Sequence, residues 1–241
     1  MSIFPPLVLR RHQNVWVVRD DKFPYGSKAR FLYWYFRSLS EKGIREVVYG
    51  SSPRWGYAQI SVAWLACHFG IKFTLFIAAS KELHPCSKMA VDLGAKVMQV
   101  PMGFLAVTEK RARDYANKNG RLLLPMGLDI PEAIAGIKRW ASRLDVRPDE
   151  VWTVAGSGTL TRGLQAAWPE ADHCTVQVGH KLTESEAGKA RVLVYPRGFG
   201  SRAKILPPFP SVSEYDAKAW EFIPKDGKGL RLFWNVGRNP T

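Results

Sequence analysis

Acidic residues are scarce in this chain of 241 residues: 21 Asp and Glu stand against 35 Lys and Arg, a formal charge of +14. That surplus points to an anionic partner or ligand, without choosing among nucleic acid, a phosphate-bearing cofactor and a membrane surface. Cysteine is scarce as well. Cys67, Cys86 and Cys174 are odd in number and lack paired ligand spacing, which excludes a disulfide framework and fits free thiols in a reducing compartment. His12, His68, His84, His173 and His180 also lack ligand spacing, so no metal is assigned. No stretch reaches the ~18 apolar residues of a membrane span, and residues 1–9 lack a basic segment followed by an apolar one. The expectation is a cytoplasmic protein with no membrane partner. Repeats, low-complexity tracts, a Walker lysine, a full dinucleotide glycine fingerprint and a nucleophile elbow are all missing.

What is present is the make-up of a globular chain, 46% hydrophobic and 12% aromatic, which excludes disorder as the main state. At ~150 residues per domain the length predicts one large or two modest domains, enough to enclose a cleft. Apolar runs at 15–18, 46–49, 71–77, 96–100 and 151–155 read as strands. Segments 31–39, 57–69, 85–93 and 108–118, a stretch ending at 144 and another ending at 167 read as helices. Strand and helix alternate in the manner of parallel α/β units. Beyond residue 169 the pattern loosens, with strands at 175–178, 191–195 and 230–234.

Three features carry candidate chemistry. The loop Gly156-Ser157-Gly158-Thr159 joins a strand to a helix, so its amides, hydroxyls and helix dipole can hold a phosphate; taken alone it serves equally as a tight turn. Lys28, behind Tyr25-Gly26-Ser27 at a turn-to-helix junction, can form a Schiff base if burial depresses its pKa; taken alone it reads as a solvated surface lysine. Residues 187–206 carry Lys189, Arg191, Arg197, Arg202 and Lys204 with no Asp or Glu, and glycines 198 and 200 suggest a flexible basic loop suited to a phosphate backbone. Trp55 beside Arg54, with Tyr57, can stack an extruded base. Phe31, Trp34 and Tyr35, at helical spacing, read as core.

The order of the pieces is more specific than any one of them. Val17-Val18-Arg19-Asp20-Asp21 leads to Gly26-Ser27-Lys28-Ala29-Arg30-Phe31-Leu32. A small-residue helix from Gly56 to Ala66 then runs on to Gly70-Ile71-Lys72. Leu93-Gly94-Ala95-Lys96-Val97, Gly156 to Thr159, Tyr215-Asp216-Ala217-Lys218-Ala219 and Leu232-Phe233-Trp234-Asn235-Val236-Gly237 follow. This succession resembles the fold type II, tryptophan-synthase-β-like pyridoxal-phosphate enzymes, nearest their aminocyclopropane-carboxylate deaminase and D-cysteine desulfhydrase branch.

The resemblance implies a two-lobed α/β fold with parallel or mixed sheets flanked by helices. Residues 1–37 and 125–241 would form a larger cofactor-binding lobe, and 38–124 a smaller inserted one. It implies pyridoxal phosphate as cofactor, Lys28 as Schiff-base lysine and proton carrier, and the 156–159 loop as phosphate holder. Asp216 would face the pyridine nitrogen beside Tyr215, and the protein would be a homodimer. The chain departs from the family pattern near the substrate. Tyr57, counted with the cofactor contacts, stands where the family has an Asn by the ring hydroxyl and Trp55 where it has a Ser, which leaves Ser51, Ser52 and Arg54, with Trp55 and Tyr215, as candidate substrate contacts.

The function implied is an enzyme acting at the α-carbon of an amino-acid group. The basic surplus favours a group attached to a base of DNA, a setting similar to phage thymidine hypermodification in the host cytoplasm, where decarboxylation or lyase cleavage would both serve. The alternatives are a deaminase or lyase of a small free amino acid, and a non-enzymatic nucleic-acid-binding module that kept the fold and lost the cofactor.

Overall fold

A computed structural model of the chain describes residues 3–50, 55–101, 103–179 and 181–239. The elements run β1 Leu9–His12, β2 Val15–Arg19, α1 Ser27–Glu41, β3 Glu46–Tyr49, α2 Ala58–His68, β4 Lys72–Ala78, α3 Pro85–Asp92 and β5 Lys96–Val100. Then come α4 Leu105–Asn119, β6 Leu122–Leu123, α5 Pro131–Ala141, β7 Glu150–Ala155, α6 Thr159–Ala167 and β8 Asp172–Gln177. The chain closes with α7 Glu184–Ala187, β9 Arg191–Val194, α8 Ala217–Trp220 and β10 Arg231–Asn235.

Two sheets result. One has six strands in the order β1-β2-β10-β7-β8-β9, and the other four in the order β5-β4-β3-β6. Every pairing is parallel except β1 with β2. β3 and β10 are covered on both faces and buried along their whole length; their middles are apolar, and the polar ends are partnered, Glu46 with Arg121, Arg231 with Glu150 and Asn235 with Asp21. The sequence reading missed β1. Two of its four residues are arginine and its burial is partial, since it only shields the outer edge of β2.

Helices α1, α5 and α6 pack closely because glycines stand at their contacts. A Cβ at Gly136 would collide with the Phe31 backbone, and one at Gly163 with the Ile137 side chain, 2.5 Å away. Arg30 on α1 is buried with its guanidinium 2.6 Å from Asp20 and over the rings of Phe4, Phe23 and Trp140, so the charge is paired rather than stranded.

The aromatic run in α1 divides between faces. Phe31 and Phe36 are buried, whereas Trp34 is 48% exposed beneath Arg37 and Arg139, because it stands two residues from both Leu32 and Phe36, about 200° round the helix from each. Trp34 is therefore not core. Among the described residues no helix is long and apolar enough to cross a membrane, and no cluster of three or more His, Cys, Asp or Glu could hold a metal ion.

Replacing Gly136 by Ala should push α5 off α1 and lower stability by about 1–3 kcal/mol. The check is a urea midpoint that falls with an unchanged slope.

A candidate active site at the carboxyl ends of the strands

Parallel strands direct their carboxyl ends, and the loops that follow, to one side of a sheet, and ligand crevices form there. A cavity of about 220 Å³ lies at that position. It is bounded by the start of α1, the 126–128 turn, the loop after β7 and the segment entering α2, with Phe199, Val212, Tyr215 and Val236 on the remaining side. Among its described lining residues Lys28 is the one charged side chain.

Gly26, at φ +73°, turns the chain into α1 and sets Lys28 one residue inside it. Lys28 Nζ donates to the Gly127 carbonyl at 3.0 Å. Burial lowers its pKa to about 8, against the opposing pull of Asp129 and Asp216. A lysine kept in so apolar a place holds far more neutral amine near neutrality than a solvated one, as a nucleophile requires.

The 126–128 turn was not singled out in the sequence, yet it organises the site. Gly127 is left-handed at φ +66°, and a Cβ there would strike Ser157. Leu128 follows at φ +58°, an uncommon conformation for a residue with a side chain. Asp129 is ion-paired with Arg162 on α6. The Pro, Gly and Pro of segment 125–131 marked a loop, but nothing in them told which carbonyl would meet Lys28.

The 156–159 loop lies on the same cavity. Ser157 Oγ and Thr159 Oγ1 are 3.0 Å apart, and Gly158, at φ +68°, has Glu186 so close that no Cβ would fit. The first amides of α6 have no partner within the helix, so they are free for an anion. The Gly156 amide donates to the Tyr215 hydroxyl at 3.0 Å, and that hydroxyl lies 3.3 Å from Val154 O. Tyr215 thus braces the loop, and its own pKa is raised by burial.

Asp216 is fully buried beneath the wall made by Tyr215 and Val236 rather than on it. Neither carboxylate oxygen has a hydrogen bond of normal geometry. Burial raises its pKa well above the usual range, opposed by the nearby Val236 and Gly237 backbone and by Lys28. A buried carboxyl group held only by long backbone contacts, with no salt-bridge partner, is costly in a folded chain and has room for a stronger donor.

Tyr57 lies at the entry to α2. Its ring fills the hollow between Gly26 and Gly237, where a Cβ on either would stand 2.5 and 3.0 Å from it, and burial pushes its pKa up to about 12. Trp55 lines the cavity. Ser51, Ser52 and Arg54 fall outside the described residues.

The basic segment is not one spatial loop. Lys189 and Arg191 precede or begin β9, the end of the sheet away from the cavity, bonded to Pro169 O and Cys174 Sγ respectively. Arg197 and Arg202 flank in sequence Phe199, which lines the cavity, but neither lines it. Arg197 donates to the Tyr195 hydroxyl at 2.8 Å, and Arg202 is 3.1 Å from Glu214. Lys204 is exposed. Residues 198–203 are held by internal hydrogen bonds, including Ser201 N to Gly198 O and Ala203 N to Ser213 O, so the glycines do not leave the segment loose.

Comparison with solved structures follows this geometry. An aminocyclopropane-carboxylate (ACC) deaminase homologue matches over 92% of this chain and 84% of its own, at 19% identity and TM-score 0.76. Diaminopropionate ammonia lyase of Escherichia coli matches over 100% and 84%, at 13% identity and TM-score 0.74. The processed form of threonine deaminase isoform 2 from Solanum lycopersicum matches over 97% and 79%, at 16% identity and TM-score 0.70. No protein-family model and no curated protein matches the chain. The chain therefore has the α/β fold of these enzymes, with one mixed and one parallel sheet flanked by helices.

Competitive labelling of the amine, read on the Lys28 peptide, should give half-maximal reactivity near pH 8, against ~10.4 for an ordinary lysine. Asp216→Asn removes a charge that favours the ammonium and should move that midpoint lower still.

Proposed function

We propose that the chain is a pyridoxal-phosphate-dependent lyase or deaminase acting at the α-carbon of an amino-acid group, with Lys28 as the lysine that holds the cofactor. The observation that carries this reading is the convergence of three groups. A lysine with a depressed pKa and a helix N-terminal glycine loop share one cavity, and a buried carboxyl group with no salt-bridge partner lies next to its wall.

These residues fit the group. Pyridoxal phosphate supplies an aldehyde that captures amines and a ring that accepts electrons from the α-carbon. The amides and hydroxyls of 156–159 suit its phosphate. Asp216, as a carboxylate, would accept a hydrogen bond from the protonated ring nitrogen and so keep that nitrogen charged. Lys28 Nζ binds at rest and, once released, moves a proton at the α-carbon. Tyr57 and Tyr215 wall the cavity and keep water from it.

The finer reading is an amino-acid group attached to a base of DNA, processed by decarboxylation or lyase cleavage as in thymidine hypermodification. It is supported by the +14 charge and by Arg197 and Arg202, which flank the cavity-lining Phe199 in sequence. A free small amino acid is the alternative substrate. A steep loss of substrate affinity as salt rises, with a log–log slope of several, supports DNA; a flat response supports the free amino acid. A homodimer belongs to the same proposal and is read by sedimentation.

Equilibrium dialysis against pyridoxal phosphate tests the core of the reading. Wild-type protein should retain about one cofactor per chain, and Lys28→Ala should lose it at least ~tenfold more readily, about 1.4 kcal/mol. Equal retention by the two overturns the assignment.

Asp216 adds an independent check. Its raised pKa means the folded chain binds a proton that the unfolded chain releases, so folding stability falls as pH rises from about 4. Asp216→Asn should stabilise the cofactor-free protein, by a margin that grows with pH, while weakening cofactor retention.

A further inference from the structure

Three aromatic side chains meet on one wall of the cavity. Trp55 and Phe199 are in T-shaped contact with ring centres 5.5 Å apart, Phe199 and Tyr215 likewise at 6.3 Å, and all three line the cavity. Gly200 lets the backbone close on the indole, since a Cβ there would stand 3.0 Å from Trp55 Cη2. Leu105, Val178 and Val212 extend the apolar wall.

The wall is fixed from behind. Lys218 is wholly buried, its Nζ donating to Phe199 O at 2.8 Å and standing 4.7 Å from the Tyr195 ring centre and 5.7 Å from that of Phe199. A buried ammonium committed to one loop carbonyl and two ring faces holds Phe199 in place rather than facing the cavity.

Trp55 Nε1 is buried and has no hydrogen-bond partner among the described residues. A buried indole N–H is ordinarily paired, so this donor points to an acceptor brought by a ligand. Lys28 is the one charge among the described lining residues. A second charge on the substrate's side chain would be desolvated there without a counter-charge, and a short polar side chain would leave the wall unfilled.

Resting on the reading of Lys28 as the cofactor lysine, we propose that the substrate's side chain ends in a neutral planar ring with a hydrogen-bond acceptor on its edge, packed on Trp55 and Phe199 and accepting from Trp55 Nε1. Phe199 and Trp55 are then the specificity residues, and Lys218 a positioning residue.

Calorimetric titration of the whole protein tests this, using three probes: alanine carrying an N-linked uracil ring, L-phenylalanine and L-serine. Cofactor content is measured separately by absorbance. The uracil amino acid should bind tightest and serine at least ~tenfold weaker, the scale of one stacked ring. Trp55→Phe should bring the uracil amino acid down to the affinity of phenylalanine. Phe199→Leu, which keeps bulk without the ring, should weaken both ring ligands several-fold at unchanged cofactor content. Serine binding as tightly as the ring amino acids, or a Trp55→Phe variant that keeps the uracil preference, overturns the proposal. Cofactor uptake without ring preference defeats this inference alone, and ring preference without cofactor uptake defeats the Lys28 reading alone.

Discussion

One hydrogen bond, from the Lys28 ammonium to the Gly127 carbonyl, sets the geometry of the cavity. The amine lies among apolar side chains, where an unpaired charge is strongly disfavoured. The carbonyl that meets it is available because Gly127 adopts a left-handed backbone and has no side chain to strike Ser157. The same residue therefore seats the lysine and admits the glycine loop beside it. The left-handed Leu128 that follows is backbone strain of the kind that survives where surrounding structure demands it.

The carboxylates of the molecule make a contrast. Asp20 and Asp21 are buried against Arg30 and Arg19 at 2.6 and 2.7 Å; Asp20 ties the end of β2 to α1, and Asp21 also accepts from Asn235 Nδ2 of β10. Asp216 is equally buried and has no such partner. A chain that can pair two buried acids and leaves a third unpaired beneath its cavity gives up stability there, and sites of function are where such costs collect.

Much of this was legible in the sequence. The parallel α/β alternation and several strand bounds such as 46–49 and 96–100 follow from period and glycine placement, and the convergence of Lys28 with the 156–159 loop is what the family resemblance implied. What could not be read depends on tertiary contact. No local pattern links Gly127 to Lys28 across ninety-nine positions, or brings Phe199 over a cavity opened by residue 28. The basic segment 187–206 read as one loop because charge is counted along the chain, whereas β9 carries its two ends to different sides of the sheet. Trp34 read as core because an aromatic run exceeds what one helix face can bury. β1 was missed because an edge strand needs no apolar pattern.

The account turns on one nitrogen atom. Incubation with pyridoxal phosphate, borohydride reduction and peptide mass mapping tests it most directly. The account predicts one reduced cofactor adduct per chain, on the peptide containing Lys28, with loss of the visible absorption band on reduction. An adduct spread over surface lysines, or a chain that gains neither colour nor mass, would contradict it.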